Sequence, residues 1–148
     1  MPTFEDVIDV RAAPEALFRL TQDYPARLSW DPFLKSAELV GAAEPAVGVR
    51  AYCVARGGLG METEYVSYAP PRVTAVKMTR GPWVLDSFSG SWRFDPAEGG
   101  GGTRVAFRYH VRTRPAWLRF LLEPLVSAVF RAEMRKRLAA LKHAAEAG

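Results

Sequence analysis

The most extended hydrophobic pattern of the chain lies in its last third. Apolar residues recur at steps of three and four from Leu118 to Leu141, which is the spacing of one helix face. The spacing predicts one long C-terminal helix over Arg114–Ala147, with Pro115 at a first helical position. Its first half is apolar nearly all round, so we expect that half to be buried against, or to gate, something apolar. Pro124 inside the pattern predicts a kink, or a hinge for a gating segment over residues 115–123. Basic residues occupy the other side of the second half: Arg131, Arg135, Lys136, Arg137 and Lys142.

Ahead of this helix, the apolar positions change to the alternation that is typical of strands. Turns rich in Gly and Pro divide these stretches into seven predicted strands: Phe4–Val10, Leu34–Val40, Val49–Ala55, Met61–Tyr68, Val73–Met78, Val84–Phe94 and Thr103–Arg112. Two short helices follow the first strand, one that begins at Pro14 and one over Pro25–Ser29. Short connections favour an antiparallel meander, with Gly99–Gly102 as a hairpin tip rather than a phosphate cradle. The order predicts an α+β fold in which a curved, seven-stranded antiparallel sheet wraps around the long C-terminal helix.

The last two strands allow their faces to be assigned. Alternation predicts that one apolar face of each strand looks towards the helix. This face carries Val105, Phe107, Tyr109 and Val111 on the last strand, and Phe88, Gly90, Trp92 and Phe94 on the strand before it. Asp86 has the same parity as Phe88, so strict alternation predicts that its carboxylate points inward.

Length and composition restrict the class of protein. With 148 residues, 49% of them hydrophobic and 24% charged, we expect one soluble domain over residues 1–148. No apolar run reaches the roughly 18 residues of a membrane helix, and the acidic N-terminus lacks an apolar targeting region. The single cysteine, Cys53, is expected to be a small buried thiol, and the lack of a disulfide predicts a cytoplasmic protein. His110 and His143 have no metal-binding spacing, so we expect no metal and no cofactor.

The formal charge of +4 is unevenly distributed along the chain. Residues 1–103 hold 10 basic and 13 acidic residues, whereas residues 104–148 hold 10 basic and 3 acidic ones. This excess indicates a solvated basic face, or a patch that contacts an acidic partner, an anionic membrane surface or nucleic acid. Because neither an aromatic–basic stacking platform nor a helix-turn-helix pattern accompanies it, a nucleic-acid role is disfavoured. Homodimerisation remains open.

Six short stretches, spread in order over nearly the whole chain, carry a family resemblance: Val10–Phe18, Trp30–Pro32, Pro70–Arg72, Gly90–Phe94, Gly102–Val105 and Leu138–Lys142. Their order resembles the START/Bet v 1-like (SRPBCC) superfamily, in its polyketide cyclase/dehydrase and lipid-transport branch. The resemblance implies the helix-grip fold, with a cavity between the sheet and the long helix. Members of the superfamily bind lipids, sterols, quinones, polyketides or plant hormones in this cavity, and some are aromatase/cyclases.

Large aromatic residues are frequent for a chain of this size, and they serve either as core or as cavity wall. Trp and Tyr suit the rim of a cavity, because a buried N–H or O–H needs a partner. Trp92, Phe94 and Phe107 equally suit plain core. Tyr109, Trp117, Phe120 and Leu121 are expected at the mouth or lid, where the last strand meets the helix. The predicted ligand-binding residues are Trp30, Phe33, Tyr65, Asp86, Phe88, Phe107, Tyr109, Trp117, Phe120, Leu121 and Leu125.

Few residues offer catalytic chemistry. Asp86 beside apolar rings is a weak candidate for a general acid, because such surroundings disfavour the charged carboxylate. The other interpretation is a strand-end carboxylate paired with an arginine such as Arg56 or Arg80. Glu62 and Glu64 are expected on an exposed strand face. No defined catalytic set matches the sequence.

These observations lead to three hypotheses about function. The favoured one is a non-catalytic protein that binds a hydrophobic or aromatic small molecule, such as a lipid, a quinone or a polyketide-like compound, oriented by Tyr109, Asp86 or Tyr65. The second is a polyketide cyclase or dehydrase of the aromatase type that uses Asp86 and a tyrosine as acid/base groups. The third is an interaction protein that uses the basic face of the C-terminal helix.

Overall fold

The computed structural model describes residues 3–97 and 101–147. Within these ranges the strands are β1 (Thr3–Val10), β2 (Leu34–Val40), β3 (Arg50–Ala55), β4 (Gly60–Ala69), β5 (Val73–Arg80), β6 (Leu85–Pro96) and β7 (Thr103–Thr113). The helices are α1 (Pro14–Gln22), α2 (Tyr24–Leu28) and α3 (Arg119–Ala147), the last preceded by a 3-10 turn at Ala116–Leu118. The predicted order of elements is confirmed. Of the predicted hairpin tip, residues 99 and 100 lie outside the described residues.

All seven strands form one antiparallel sheet in the spatial order β1-β7-β6-β5-β4-β3-β2. The first strand therefore pairs with the last, while the others follow one another as a meander. Register shifts interrupt the β2–β3, β4–β5 and β6–β7 pairings. Because a bulge bends its strand and increases the local twist, these shifts curve the sheet. The sheet curves around the long helix, which is the predicted helix-grip fold.

A single residue, Asp23, separates the two short helices. α1 begins at Pro14, whose missing amide hydrogen costs nothing at a first helical position, and it buries Leu17 and Phe18. Asp23 ends α1 and caps α2, because its carboxylate accepts a hydrogen bond from the Ala26 amide at 3.3 Å. The chain then turns sharply and leads into β2.

The second half of α3 holds the helix on the sheet. Its fully buried residues are Met134, Arg137, Leu138 and Leu141, which follow one another at helical spacing. They pack against β1, β7 and α1. The inward faces predicted for β6 and β7 are confirmed, because Phe88, Trp92, Phe94, Val105, Phe107, Tyr109 and Val111 are all buried.

Of the two alternatives for the first half of α3, burial is wrong, and a gating role stays a prediction. Trp117 and Phe120 are each 74% exposed and Leu121 is 59% exposed. A helix that packs on one layer buries a single stripe, and here the stripe passes through Val126 and Phe130. Trp117, Phe120 and Leu121 lie outside that stripe and remain in solvent.

The start of α3 also differs from the prediction. The helix begins at Arg119 rather than Arg114, because Pro115 has an extended backbone with ψ of 157°. Pro124 lies inside α3 and cannot donate the usual helix hydrogen bond. A hinge at this residue stays a prediction. Among the helices of the described ranges, none combines the length and the hydropathy that a membrane crossing needs.

Candidate ligand-binding cavity

A cavity of about 500 Å³ lies between the inner face of the sheet and α3. Strands β2 to β7 and α3 contribute its apolar walls, which include Phe33, Leu34, Met61, Val76, Val84, Leu85, Phe88, Trp92, Phe107, Leu125, Val126, Val129 and Phe130. Leu59, Leu125 and Val129 line the cavity and are also more than half exposed, so the opening to solvent is apolar.

One glycine gives an aromatic ring its place in the cavity wall. Gly90 of β6 pairs with Tyr109 of β7. A Cβ atom at Gly90 would stand 3.2 Å from two atoms of the Tyr109 ring, so a larger residue would displace that ring. The ring is therefore able to lie across β6, and its hydroxyl reaches α3, where Arg137 Nη1 donates a hydrogen bond to it at 2.6 Å.

A buried ion cluster, formed by Arg27, Asp31 and Arg137, joins α2 and the turn after it to α3. Asp31 Oδ2 accepts hydrogen bonds from Arg27 Nε at 3.1 Å and from Arg137 Nε and Nη2 at 3.1 and 2.9 Å. Asp31 Oδ1 accepts one from the Phe33 amide at 2.9 Å. The Arg137 guanidinium also lies against the rings of Phe33 and Phe107, 5.0 and 5.3 Å from their centres. These bonds fix α3 to the turn before β2.

The members of this cluster remain charged in spite of their burial. Burial opposes the charge of Asp31, but Arg137 and Arg27 hold the pKa of its carboxyl group below the ordinary value. Burial likewise opposes the charge of Arg27, but Asp31 keeps the pKa of that guanidinium above its ordinary value. Since an arginine stays protonated in proteins, the cluster holds two positive charges and one negative charge.

A second set of polar side chains in the wall is uncharged. The hydroxyl groups of Tyr24 and Tyr65 lie 2.7 Å apart, and that of Tyr65 donates to Gln22 Oε1 at 2.9 Å. Thr74 Oγ1 reaches the same Gln22 oxygen at 3.4 Å. Burial raises the pKa of both Tyr24 and Tyr65, so both are neutral phenols at physiological pH. Because Tyr65 donates its single proton to Gln22, Tyr24 donates its own to Tyr65, so the two hydroxyl oxygens can accept hydrogen bonds from a ligand but are poor bases.

The structure brings six of the eleven predicted ligand-binding residues together in the cavity wall: Phe33, Tyr65, Phe88, Phe107, Tyr109 and Leu125. Their contact with a ligand stays a prediction. Tyr109 is buried rather than at the mouth, since it pairs with Gly90 deep in the sheet. Trp30 does not line the cavity: its Nε1 donates to the Leu20 carbonyl at 2.7 Å and its ring packs on the core.

The remaining predicted residues lie outside the cavity. Trp117, Phe120 and Leu121 are on the solvent side of α3 and its preceding turn. Asp86 is exposed, because a register shift between Leu85 and Ser87 breaks the alternation that would have turned it inward. Its carboxylate pairs instead with Arg112 and Arg114, at 3.5 and 3.9 Å. The prediction that Asp86 pairs with arginine at a strand end is thus confirmed, but its partners are not the expected Arg56 and Arg80.

Two further expectations concern acidic and thiol groups. Glu62 and Glu64 are half-buried rather than on the expected exposed face. They lie beside Arg50 across the β3–β4 pairing, at 3.9 and 3.6 Å, and neither lines the cavity. Cys53 is half-buried and forms part of the cavity wall, rather than being fully enclosed in the core. Burial raises the pKa of its thiol, so it is protonated at neutral pH and a weak nucleophile.

Sequence reasoning missed the ion cluster, and it assigned Arg137 to the solvated side of the helix. The available signal was its spacing: Arg137 follows the core residue Met134 by three positions and precedes Leu141 by four. A second signal was the separation of Arg27 and Asp31 by four residues, which brings two side chains together on a helical turn.

Comparison with models of protein families identifies the family of this chain. The family model described as polyketide cyclase/dehydrase and lipid transport matches residues 1–146. The chain belongs to this family. The resemblance inferred from the short motifs is therefore confirmed. A search of curated proteins finds no significant match.

Solved structures of the same fold come from several bacteria. A START superfamily protein from Mycobacterium smegmatis has a TM-score of 0.81 at 14% identity, covering 97% of each chain. A protein from Thermus thermophilus has a TM-score of 0.80 at 23% identity, covering 99% of this chain and 98% of that one. The di-domain ARO/CYC StfQ from the steffimycin biosynthetic pathway has a TM-score of 0.79 at 18% identity, covering 97% of this chain and 50% of that chain. At these identities the likeness establishes the shared helix-grip fold.

Proposed function

We propose that this protein binds an apolar or aromatic small molecule, without transforming it, in the cavity between the sheet and α3. The observation that carries the proposal is the cavity itself, whose volume of about 500 Å³ is ample for a small organic ligand. Pockets for such ligands span roughly 300–1,000 Å³ and combine apolar walls with a few polar groups. Membership of a family whose description includes lipid transport supports the same class of ligand.

The driving force for binding is the removal of apolar ligand surface from water. Each 100 Å² of apolar surface buried contributes about 2.5 kcal/mol before the cost of immobilising the ligand. Phe88, Trp92 and Phe107 supply aromatic faces for this contact. Tyr24 and Tyr65 supply the hydroxyl groups that could orient a ligand, because both line the cavity.

A cyclase or dehydrase is the second candidate. The observation that favours it is the pair of buried hydroxyl groups of Tyr24 and Tyr65 in an otherwise apolar wall. Tyr65 already donates its proton to Gln22 and Tyr24 donates its proton to Tyr65, so a phenol stabilises a developing oxyanion on a polyketide carbonyl only when the ligand replaces one of these acceptors. Asp86 has no part in this candidate, since it is exposed outside the cavity. Binding without turnover is preferred because the described wall contains no Asp, Glu or His that could act as a base beside the tyrosines.

A cavity-filling substitution tests the proposed binding function. Val76 of β5 lines the cavity, and Val66 of β4 is exposed and does not line it. The probe is N-phenyl-1-naphthylamine, a neutral aromatic compound whose fluorescence rises in apolar surroundings. We expect the wild type to bind the probe, Val76→Trp to weaken binding about tenfold or more, and Val66→Trp to leave the Kd unchanged.

Thermal unfolding by circular dichroism verifies that both variants fold before the titration is interpreted. Equal effects of the two substitutions, or unchanged binding in Val76→Trp, would contradict a ligand site in this cavity.

A further inference from the structure

The ion cluster presents its positive groups to the cavity and its carboxylate away from it. Arg27 and Arg137 both line the cavity, whereas Asp31 does not, and the side chain of Asp31 is fully buried. Both carboxylate oxygens are engaged, Oδ2 by the two arginines and Oδ1 by the Phe33 amide. A molecule inside the cavity therefore meets two guanidinium groups and no opposing carboxylate from the cluster.

Arg27 has hydrogen-bonding capacity left for a ligand. Its Nε donates to Asp31, but its Nη1 and Nη2 donate to no acceptor within residues 3–97 and 101–147. Arg137 differs, because its Nε and Nη2 bind Asp31 and its Nη1 binds the Tyr109 hydroxyl. The two arginines thus have distinct parts: Arg137 is held rigidly and supplies charge, and Arg27 supplies charge together with free N–H donors.

The charge of the cavity wall is not balanced. The cluster contributes two positive charges and one negative charge, and the described wall contains neither Asp nor Glu. Its other polar residues near the cluster, Tyr24, Tyr65, Gln22 and Thr74, are uncharged, and burial keeps both phenols neutral. An unpaired charge in apolar surroundings is unfavourable, whereas a charge that meets an opposite charge with hydrogen bonds is stabilised.

We infer that the ligand of this cavity is an apolar or aromatic molecule with one anionic group, such as a carboxylate, bound at the Nη1 and Nη2 atoms of Arg27 beside Arg137. The inference deepens the proposed function and rests on it. The anionic group would balance the cluster and fix one end of the ligand, while Phe88, Trp92 and the other apolar residues of the wall enclose the rest. The site thereby selects acids over neutral analogues of the same shape.

A matched pair of fluorescent probes tests this selectivity. 8-Anilinonaphthalene-1-sulfonate has the same aromatic skeleton as N-phenyl-1-naphthylamine. It differs by one sulfonate group, which makes it a monoanion. We expect wild-type protein to bind the anionic probe about tenfold or more tightly than the neutral one, because a hydrogen bond to a charged group commonly contributes that factor. Competition by dodecanoate, and weaker competition by dodecanol, would extend the result to a carboxylate.

Substitutions with opposite effects separate a binding role of the cluster from a structural one. Arg27→Gln is expected to lower the ratio of the affinities for the anionic and the neutral probe about tenfold. Asp31→Asn removes the one negative charge of the cluster and is expected to strengthen binding of the anionic probe. Structural damage to the site would instead weaken that binding. Arg104→Gln is the matched control, because Arg104 is exposed on β7 and paired with Asp9, so the same charge is lost outside the cavity.

Three results would overturn the inference: equal Kd values for the two probes, an equal response of Arg27→Gln and Arg104→Gln, or weaker binding of the anionic probe by folded Asp31→Asn. Such results with intact binding of the neutral probe would leave the proposed function standing. Absence of binding for both probes would overturn the proposed function together with the inference.

Discussion

Arg137 is a charged residue at a core position of α3. Its neighbours on the same face, Met134, Leu138 and Leu141, are apolar and fully buried. Its guanidinium is accommodated there because Asp31 and Tyr109 accept its hydrogen bonds and two aromatic rings enclose it. A buried charge of this kind requires all of its partners, so the loss of one partner costs about 3–5 kcal/mol.

The stability that Asp31 contributes should depend on pH. Its pKa in the folded protein is lowered by Arg137 and Arg27 against the effect of burial, while the unfolded chain has an ordinary value of about 3.9. The unfolded state therefore binds the proton more readily, and the stabilisation is present above about pH 4 and lost as the pH falls through the lower folded pKa. We expect Asp31→Asn to be less stable than wild type by about 3–5 kcal/mol near pH 7, with a smaller difference near pH 3.

Urea unfolding followed by circular dichroism at both pH values measures this difference. The two arginines bind Asp31, and Tyr109 and Cys53 also interact with its charge. Burial raises the pKa of both Tyr109 and Cys53, so they stay protonated between acid and neutral pH and the comparison with the variant isolates the Asp31 carboxylate. A difference in unfolding free energy that is constant from acid to neutral pH would show that the charge of Asp31 does not contribute.

At the scale of elements, α3 combines a packed half with a half that is largely exposed. Leu138 and Leu121 are the same residue type on the same helix, yet Leu138 is 2% exposed and Leu121 is 59% exposed. Leu138→Ala is expected to lower the free energy of unfolding by about 2–5 kcal/mol, because it leaves a cavity in the core. Leu121→Ala is expected to change it by less than about 0.5 kcal/mol.

Chemical denaturation of the two variants provides the measurement, with each acting as the control for the other. A large loss of stability for Leu121→Ala would mean that the first half of α3 is packed, as the sequence pattern had suggested.

The sequence predicted the elements well and their surroundings less well. Seven strands, two short helices and one long helix were recognisable from periodicity and turn residues, because these signals are local. The exposure of the first half of α3 was not recognisable from the sequence, because a segment that is apolar all round does not indicate which of its faces meets the sheet. The bulge at Leu85 and Ser87 was not recognisable either, and it alone reverses the orientation expected for Asp86.

At the scale of the whole molecule, the cavity lies between the curved sheet and α3, whose fully buried residues are confined to its second half. The family resemblance implied this cavity. The alternation of apolar residues along β6 and β7 predicted some of the residues that line it. The ion cluster was beyond such reasoning, because Asp31 and Arg137 are 106 residues apart and only the fold brings them together. The same limit applies to the pairing of Tyr24 with Tyr65, which are 41 residues apart.

The most direct test of ligand binding in the cavity is an isotope-filtered NOE spectrum of labelled protein with unlabelled N-phenyl-1-naphthylamine. Binding between the sheet and α3 predicts cross-peaks from the probe to Val76, Phe88 and Trp92, which line the cavity from neighbouring strands. Cross-peaks confined to Trp117, Phe120 and Leu121, on the solvent side of α3 and the turn before it, would contradict a ligand site in the cavity.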